Sequence, residues 1–332
     1  MSVARRVLAL AVFSQGVLGG LYPGLSTANH TCQLVEPVLS CSNGAQPGLV
    51  DTCCTETYGG LILQTQFWNT YTGLESKGQL LPKDSWTIHG LWPDFCNGSY
   101  TQYCDLKRQY DPLPSPNTTT GTPEGKPVKP WKGEPISDFI NKFRKYDLLA
   151  YMEKHWIGLN QPSWYLWAHE FSKHATCYSS FDTECYGPEY SRHEEVTDFF
   201  GTVIAYYQNL PTWRWLAEGG IHPSNTTAYA VADIQGAIKK QFGKVPYVGC
   251  SGPRYNETAA GKGSADNGYT VLSEMWYYYH VRGRVQSVQG VPVDPSGSLT
   301  SCAKAPGAVW YYERTPHSVA SSTQGMYLSA LG

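Results

Sequence analysis

Ten cysteines constrain this chain more than any other feature: Cys32, Cys41, Cys53, Cys54, Cys96, Cys104, Cys177, Cys185, Cys250 and Cys302. Their number is even, and they follow an N-terminal segment of secretory type. Arg5 and Arg6 precede an apolar run from Val7 to Leu18, and small residues (Gly19, Gly20, Ser26, Thr27, Ala28) come after it. That run is shorter than the roughly 20 apolar residues a membrane helix needs. We therefore expect residues 1–26 to be a signal peptide and the mature chain to carry no membrane anchor. In an oxidising compartment the cysteines can form up to five disulfides. No two of them make a Cys-x-x-Cys pair, which argues against a zinc knuckle. Five Asn-x-Ser/Thr sequons, at Asn29, Asn97, Asn117, Asn225 and Asn256, agree with a secreted glycoprotein.

The chain has 332 residues, 41% hydrophobic and 16% charged, which is globular in composition and long enough to bury a core. Loss of the first 26 residues removes Arg5 and Arg6 but no acid, so the net charge moves from −2 to −4. A general cationic surface for nucleic acid is thereby excluded, and any such contact must be a local site. Eleven Trp and 24 Tyr could stack on flat ligands, although such rings are first of all core material.

Along the chain, Leu61 to Trp68 reads as a central strand, and Val271 to Arg282 as a second core strand rich in aromatics. Helical spacing runs from Ile136 to Trp156, and further helices are expected at Glu194 to Asn209 and Ala232 to Phe242. Asp111 to Pro130 is rich in Pro, Thr, Gly and Ser; it reads as a surface loop insertion that leaves the chemistry alone. The expected organisation is one domain over 27–310, with 311–332 as a loose tail. No βαβ repeat or phosphate-cradling glycine loop is present, and the mixed order of elements points to an α+β fold.

Two blocks carry residues suited to acid–base chemistry. The first, Trp86-Thr-Ile-His89-Gly-Leu-Trp92-Pro-Asp94, reads as a strand. The second, Trp167-Ala-His169-Glu170-Phe-Ser-Lys173-His174-Ala-Thr-Cys177, reads as a helix. On a helix His169, Lys173, Glu170 and His174 share an arc of about 140°, while Phe171 and Ala175 fall on the other side. The pairs His169/Lys173 and Glu170/His174 are four residues apart and close enough to interact. A zinc-protease motif needs its two histidines four apart, whereas His169 and His174 are five apart, and a lysine beside them opposes a cation. Two histidines, a lysine and a glutamate fit phosphoryl transfer without a metal. One histidine takes a proton, the other donates one, and the lysine stabilises charge on phosphate oxygens.

These two blocks closely resemble the two active-site segments of the ribonuclease T2 family, in its fungal, low-specificity acid branch. The likeness covers roughly residues 30–310 and extends to the adjacent Cys53-Cys54. It implies an α+β domain with a central, mostly antiparallel sheet flanked by helices. It also implies a monomeric, secreted or vacuolar endoribonuclease that cleaves single-stranded RNA to 2′,3′-cyclic phosphate ends. No cofactor or metal is implied, and DNA, lacking the 2′-hydroxyl, would be inert. By the resemblance His89 and His174 are the acid–base pair, His169 binds phosphate, and Glu170 and Lys173 support the transition state. Trp92, Asp94 and Tyr100 would form a base pocket. The implied disulfides are Cys32–Cys54, Cys41–Cys96, Cys53–Cys185, Cys104–Cys177 and Cys250–Cys302. Two readings compete: a silent RNA- or protein-binding relative, and a zinc hydrolase.

Overall fold

Alternation of apolar side chains along a few strands builds a two-faced sheet, and the site forms on one of those faces. The computed structural model describes residues 32–260 and 267–320. The expected signal peptide, Asn29 and residues 321–332 lie outside them. Strands β1 (Leu61–Phe67), β2 (Thr87–Asp94), β3 (Ala228–Tyr229), β4 (Tyr247–Arg254), β5 (Tyr269–Val281), β6 (Gly290–Pro292) and β7 (Val309–Trp310) form one sheet. Its order is β2-β1-β5-β7-β3, with β4 and β6 also on β5. All pairings are antiparallel except β5–β7. Ile62, Met275, Tyr277 and Tyr279 point into the main core. Their neighbours Leu61, Leu63, Trp276 and Tyr278 point the other way, into a smaller apolar cluster with Trp92. This is the period-2 geometry of a pleated strand.

Among the described residues, six helices of seven or more residues pack around the sheet: α1 (Ile136–Lys142), α2 (Tyr146–His155), α3 (Ser163–Lys173), α4 (Glu194–Gln208), α5 (Thr212–Glu218) and α6 (Val231–Phe242). Helix α4 shows why. Glu194 and Glu195 sit in its first turn, where the helix dipole favours an acid. Val196, Phe199, Phe200 and Val203, spaced three or four apart, are all fully buried. Each buried Phe contributes about 2–3 kcal/mol of transfer free energy. The result is an α+β fold with a largely antiparallel central sheet flanked by helices.

Two expectations are corrected here. The helical stretch from Ile136 to Trp156 is two helices, because Phe143 ends α1 and Arg144 turns to φ 55, a left-handed conformation that breaks the ladder. Periodicity alone is blind to one residue turning the chain. The tail does not start at 311. Tyr311 is fully buried and meets Trp68 and Trp86 at ring-centroid distances of 4.7 and 5.9 Å. Trp86 Nε1 donates to Tyr311 Oη at 2.9 Å, and Arg314 lies 4.0 Å over the Trp68 ring. The segment lacks a period because it is held by individual aromatic contacts.

Five disulfides join Cys32–Cys54, Cys41–Cys96, Cys53–Cys185, Cys104–Cys177 and Cys250–Cys302, and no described cysteine is free. Beside the Cys53–Cys185 bridge, Glu56 is completely buried. It accepts the main-chain N–H groups of Tyr58, Gly59, Ser179 and Ser180, and the Ser180 hydroxyl, at 2.9–3.1 Å. Burial raises its pKa, and these donors oppose the rise. One side chain thus joins the N-terminal loops to the loop that follows α3. Glu56→Ala leaves those donors buried without an acceptor and should cost about 3 kcal/mol or more. Denaturant unfolding with the disulfides intact measures this; a change under about 1 kcal/mol would contradict it.

Candidate active site

The first histidine reaches the site through an irregularity in its strand. Along β1 the register runs Thr65↔Gly90 and then Gln66↔Ile88, so His89 is an extra, bulged residue. A bulge re-aims a side chain. The His89 ring stacks on Phe67 (3.7 Å between centroids, 20°), while its carbonyl accepts Trp156 Nε1 at 2.8 Å. The next residue must be glycine. A Cβ on Gly90 would lie 1.8 Å from Glu170 Oε2 and 2.8 Å from Trp92 Nε1.

Helix α3 supplies the other half. Leu166, Trp167, Ala168, Glu170, Phe171 and Ser172 are buried. His174 is the cap, one residue past the helix, with its N–H on the Glu170 carbonyl at 3.2 Å. Trp92 Nε1 donates to Glu170 Oε2 at 2.7 Å and so joins β2 to α3. The Trp92 ring stacks on His174 (5.0 Å, 17°) and meets His89 edge-on (4.7 Å, 85°). His169 lies 6.3 Å from His174 between ring centroids. Lys173 Nζ reaches the Ser115 carbonyl at 3.4 Å. All five residues assigned to acid–base and phosphate roles thus line one cavity of about 480 Å³.

Trp92, Asp94 and Tyr100 line the same cavity, with Trp276, Tyr278 and Pro116. They are not equally available to a ligand. Trp92 has one face covered by His174 and its N–H engaged, whereas Tyr100 is 67% exposed. Four sequons, Asn97, Asn117, Asn225 and Asn256, stand exposed on the surface.

The sequence reading missed residues that support the site, in the Asp111 to Pro130 segment and on β5. Asp111 Oδ2 lies 2.7 Å from His169 Nδ1, the Ser115 carbonyl lies 3.4 Å from Lys173 Nζ, and Pro116 lines the cavity. The Asp111 to Pro130 segment therefore does reach the motif residues, contrary to expectation. Nothing in its composition signals this, because the contact spans 58 positions. Glu274 on β5 has Oε1 3.6 Å from His89 Nδ1 and Oε2 2.8 Å from Trp276 Nε1. That one was legible, since Glu274 is the single acid in a 13-residue strand of apolar and aromatic character.

Burial dominates the electrostatics. It pushes His89 and His174 well below the usual histidine range, and the positive charges of Lys173 and His169 add to this at both. It pushes the facing carboxyls up, Glu170 to about 8 and Glu274 to about 7, and lifts Asp94 to about 7. Lys173 is lowered, again by burial. His89 Nε2 lies 3.4 Å from Glu170 Oε1, an arrangement that would be an ion pair if the ring were charged. Near neutrality, burial instead keeps the protons on the carboxyl side. His169, Glu170 and His174 offer ligand atoms within 4.8 Å of one another and could hold a metal ion, but Lys173 raises the cost of a cation there.

Comparison with known proteins identifies a family. A model of the Ribonuclease T2 family matches residues 59–281. Ribonuclease Trv of Hypocrea rufa is 36% identical over 284 residues, covering 86% of this chain and 98% of that protein. A Ribonuclease T2-like protein of Aspergillus fumigatus is 33% identical over 298 residues, 90% of this chain but 61% of its own length. The crystal structure of Actibind, described as a T2 ribonuclease, superposes with a TM-score of 0.61 at 30% identity, covering 84% of this chain and 96% of that one.

Gly90→Ala forces Glu170 off Trp92 and should destabilise the fold by about 1–3 kcal/mol. Thermal unfolding checks it, and an unchanged midpoint would show that the carboxylate can move aside freely.

Proposed function

Since this chain belongs to the ribonuclease T2 family and is an endoribonuclease, we propose that it cuts single-stranded RNA by transphosphorylation. The 2′-hydroxyl attacks the adjacent phosphorus, the P–O5′ bond breaks, and a 2′,3′-cyclic phosphate and a 5′-hydroxyl result. The observation that carries this reading is the convergence of His89, His169, Glu170, Lys173 and His174 on one cavity from a strand and a helix about 80 residues apart. The reaction needs one histidine to accept the 2′-hydroxyl proton and one to deliver a proton to the leaving 5′-oxygen.

The surroundings of the two rings divide these roles. Both nitrogens of His89 lie near carboxyl oxygens, at 3.4 and 3.6 Å, so a second ring N–H has an acceptor there even when the acids carry their own protons. His174 feels Lys173, His169 and His89, all of which disfavour its protonation. His174 is therefore the base and His89 the acid in cleavage, and they exchange roles if the cyclic phosphate is later hydrolysed. Lys173 and His169 meet the phosphate oxygens, where preorganised positive charge counts most. Tyr100 and the edge of Trp92 contact a base without strong sequence preference, because every base has a stackable face. Asp94, kept protonated by burial below about pH 7, would donate a hydrogen bond to the base. No metal takes part. The domain, 27–310 with the packed segment to 320, is secreted or vacuolar, monomeric and glycosylated at the exposed sequons.

His89→Ala and His174→Ala should each lower kcat on RNA at least about a hundredfold. Unchanged rates would sink the enzyme reading in favour of a binding protein. A uridine 3′-(4-nitrophenyl phosphate) substrate, whose leaving group needs no proton, should rescue His89→Ala and not His174→Ala; the reverse would exchange the two roles. Activity should survive EDTA, and its loss would favour the zinc hydrolase.

The pH dependence follows from the signs of the shifts. Both histidines are lowered, so the state with one protonated and one neutral is populated only below about 6.5, the ordinary histidine value. The bell-shaped profile of kcat/KM should peak in the acid range; a maximum above pH 7 would contradict the assignment.

A further inference from the structure

Asp111 lies at the start of the loop segment and is 1% exposed. Both of its carboxyl oxygens are committed. Oδ1 accepts the Leu113 N–H at 2.7 Å. Oδ2 accepts the Tyr103 hydroxyl at 3.0 Å and lies 2.7 Å from His169 Nδ1. Its backbone is equally fixed, because its carbonyl accepts the Trp131 N–H and the Gln109 side-chain amide, both at 2.9 Å. A carboxylate oxygen can only accept, so a contact of this length requires the hydrogen to sit on Nδ1.

We propose that Asp111 is a positioning residue that holds His169 as its Nδ1–H tautomer, leaving Nε2 as the ring nitrogen open to the cavity. Any second proton on the ring is then carried on Nε2, where it is presented to a phosphate oxygen. The Asp111–Pro130 segment therefore does more than cover the surface. It orients one phosphate-binding group from behind and, through the Ser115 carbonyl, holds the Lys173 ammonium at the cavity wall. Tyr103 is the second support: its main-chain N–H bonds the Lys173 carbonyl at 2.9 Å, and its hydroxyl both donates to Asp111 and accepts the Ser115 N–H at 3.2 Å.

The arrangement makes an uncommon demand on a conservative substitution. In Asp111→Asn the Leu113 N–H still needs an acceptor, so the amide oxygen takes the Oδ1 place and the NH₂ takes the Oδ2 place. That NH₂ has two hydrogens: one would go to His169 Nδ1 and switch the ring to its Nε2–H form, and the other to the Tyr103 oxygen, which loses Oδ2 as its acceptor. A single isosteric change should reverse the tautomer of a neighbouring ring without altering the fold.

The test is long-range ¹H–¹⁵N NMR of the full, disulfide-intact chain, with His169→Gln used to assign the ring. The wild type should show neutral His169 protonated at Nδ1, and Asp111→Asn should show it protonated at Nε2. On a defined ribodinucleotide, Asp111→Asn should raise KM about tenfold, as expected for a lost charge-assisted contact, with kcat within about twofold. Tyr103→Phe should keep the Nδ1–H form. A wild-type ring with a bare Nδ1, or an Asn variant with unchanged tautomer and KM, would overturn the proposal. If the Asn variant does not fold, the wild-type spectrum still decides it. What His169 binds rests on the ribonuclease reading, but the tautomer is measured without RNA, so a failure of one is distinguishable from a failure of the other.

Discussion

The hydrogen bond from Trp92 Nε1 to Glu170 Oε2 is the contact on which the rest of the site depends. It ties the edge strand to the last turn of α3, and both histidine rings pack on the tryptophan that makes it. A single bond of this kind contributes about 1–3 kcal/mol, little beside the burial of the core. Its importance is geometric. It fixes the distance between two elements that approach each other only because residue 90 has no side chain. One histidine occupies a bulge and the other a helix cap, and the indole lies against both rings.

Burial then imposes a tension. Polar groups withdrawn from water shed charge, and here the carboxyls are driven toward neutrality at the same time as the histidines. These side chains therefore carry little net charge near neutrality. On the proposed function, a bound phosphate monoanion would favour protons on the rings that face it, so binding and protonation would be coupled.

Much of this was legible in the sequence. The amphipathic arc His169-Glu170-Lys173-His174 and the alternation of β1 needed only periodicity, which reports on local geometry. Even so, His174 is the cap and not a true helical residue, so the arc overstated its regularity. Which cysteine meets which was not open to the spacings, because the number of pairings grows faster than any local rule can prune. The roles of Asp111 and of Tyr311 lay outside reach for the same reason. Each makes its decisive contact across scores of positions, with no local pattern to announce it. Glu274 differs, since a lone acid in an aromatic strand is a conflict visible without a structure.

The strand that carries His89 is braced by residues near the other end of the chain: Trp86 bonds Tyr311 across 225 positions, and Trp68 bonds the Tyr312 carbonyl across 244. Contacts of such sequence separation form late, because a long loop must close before they return any free energy. During vectorial synthesis the His89 strand emerges early but lacks its brace until almost the whole described chain is out. The order of events in time is thus written into the topology: a pocket begun by an early strand gains its brace only from a segment 225 positions later.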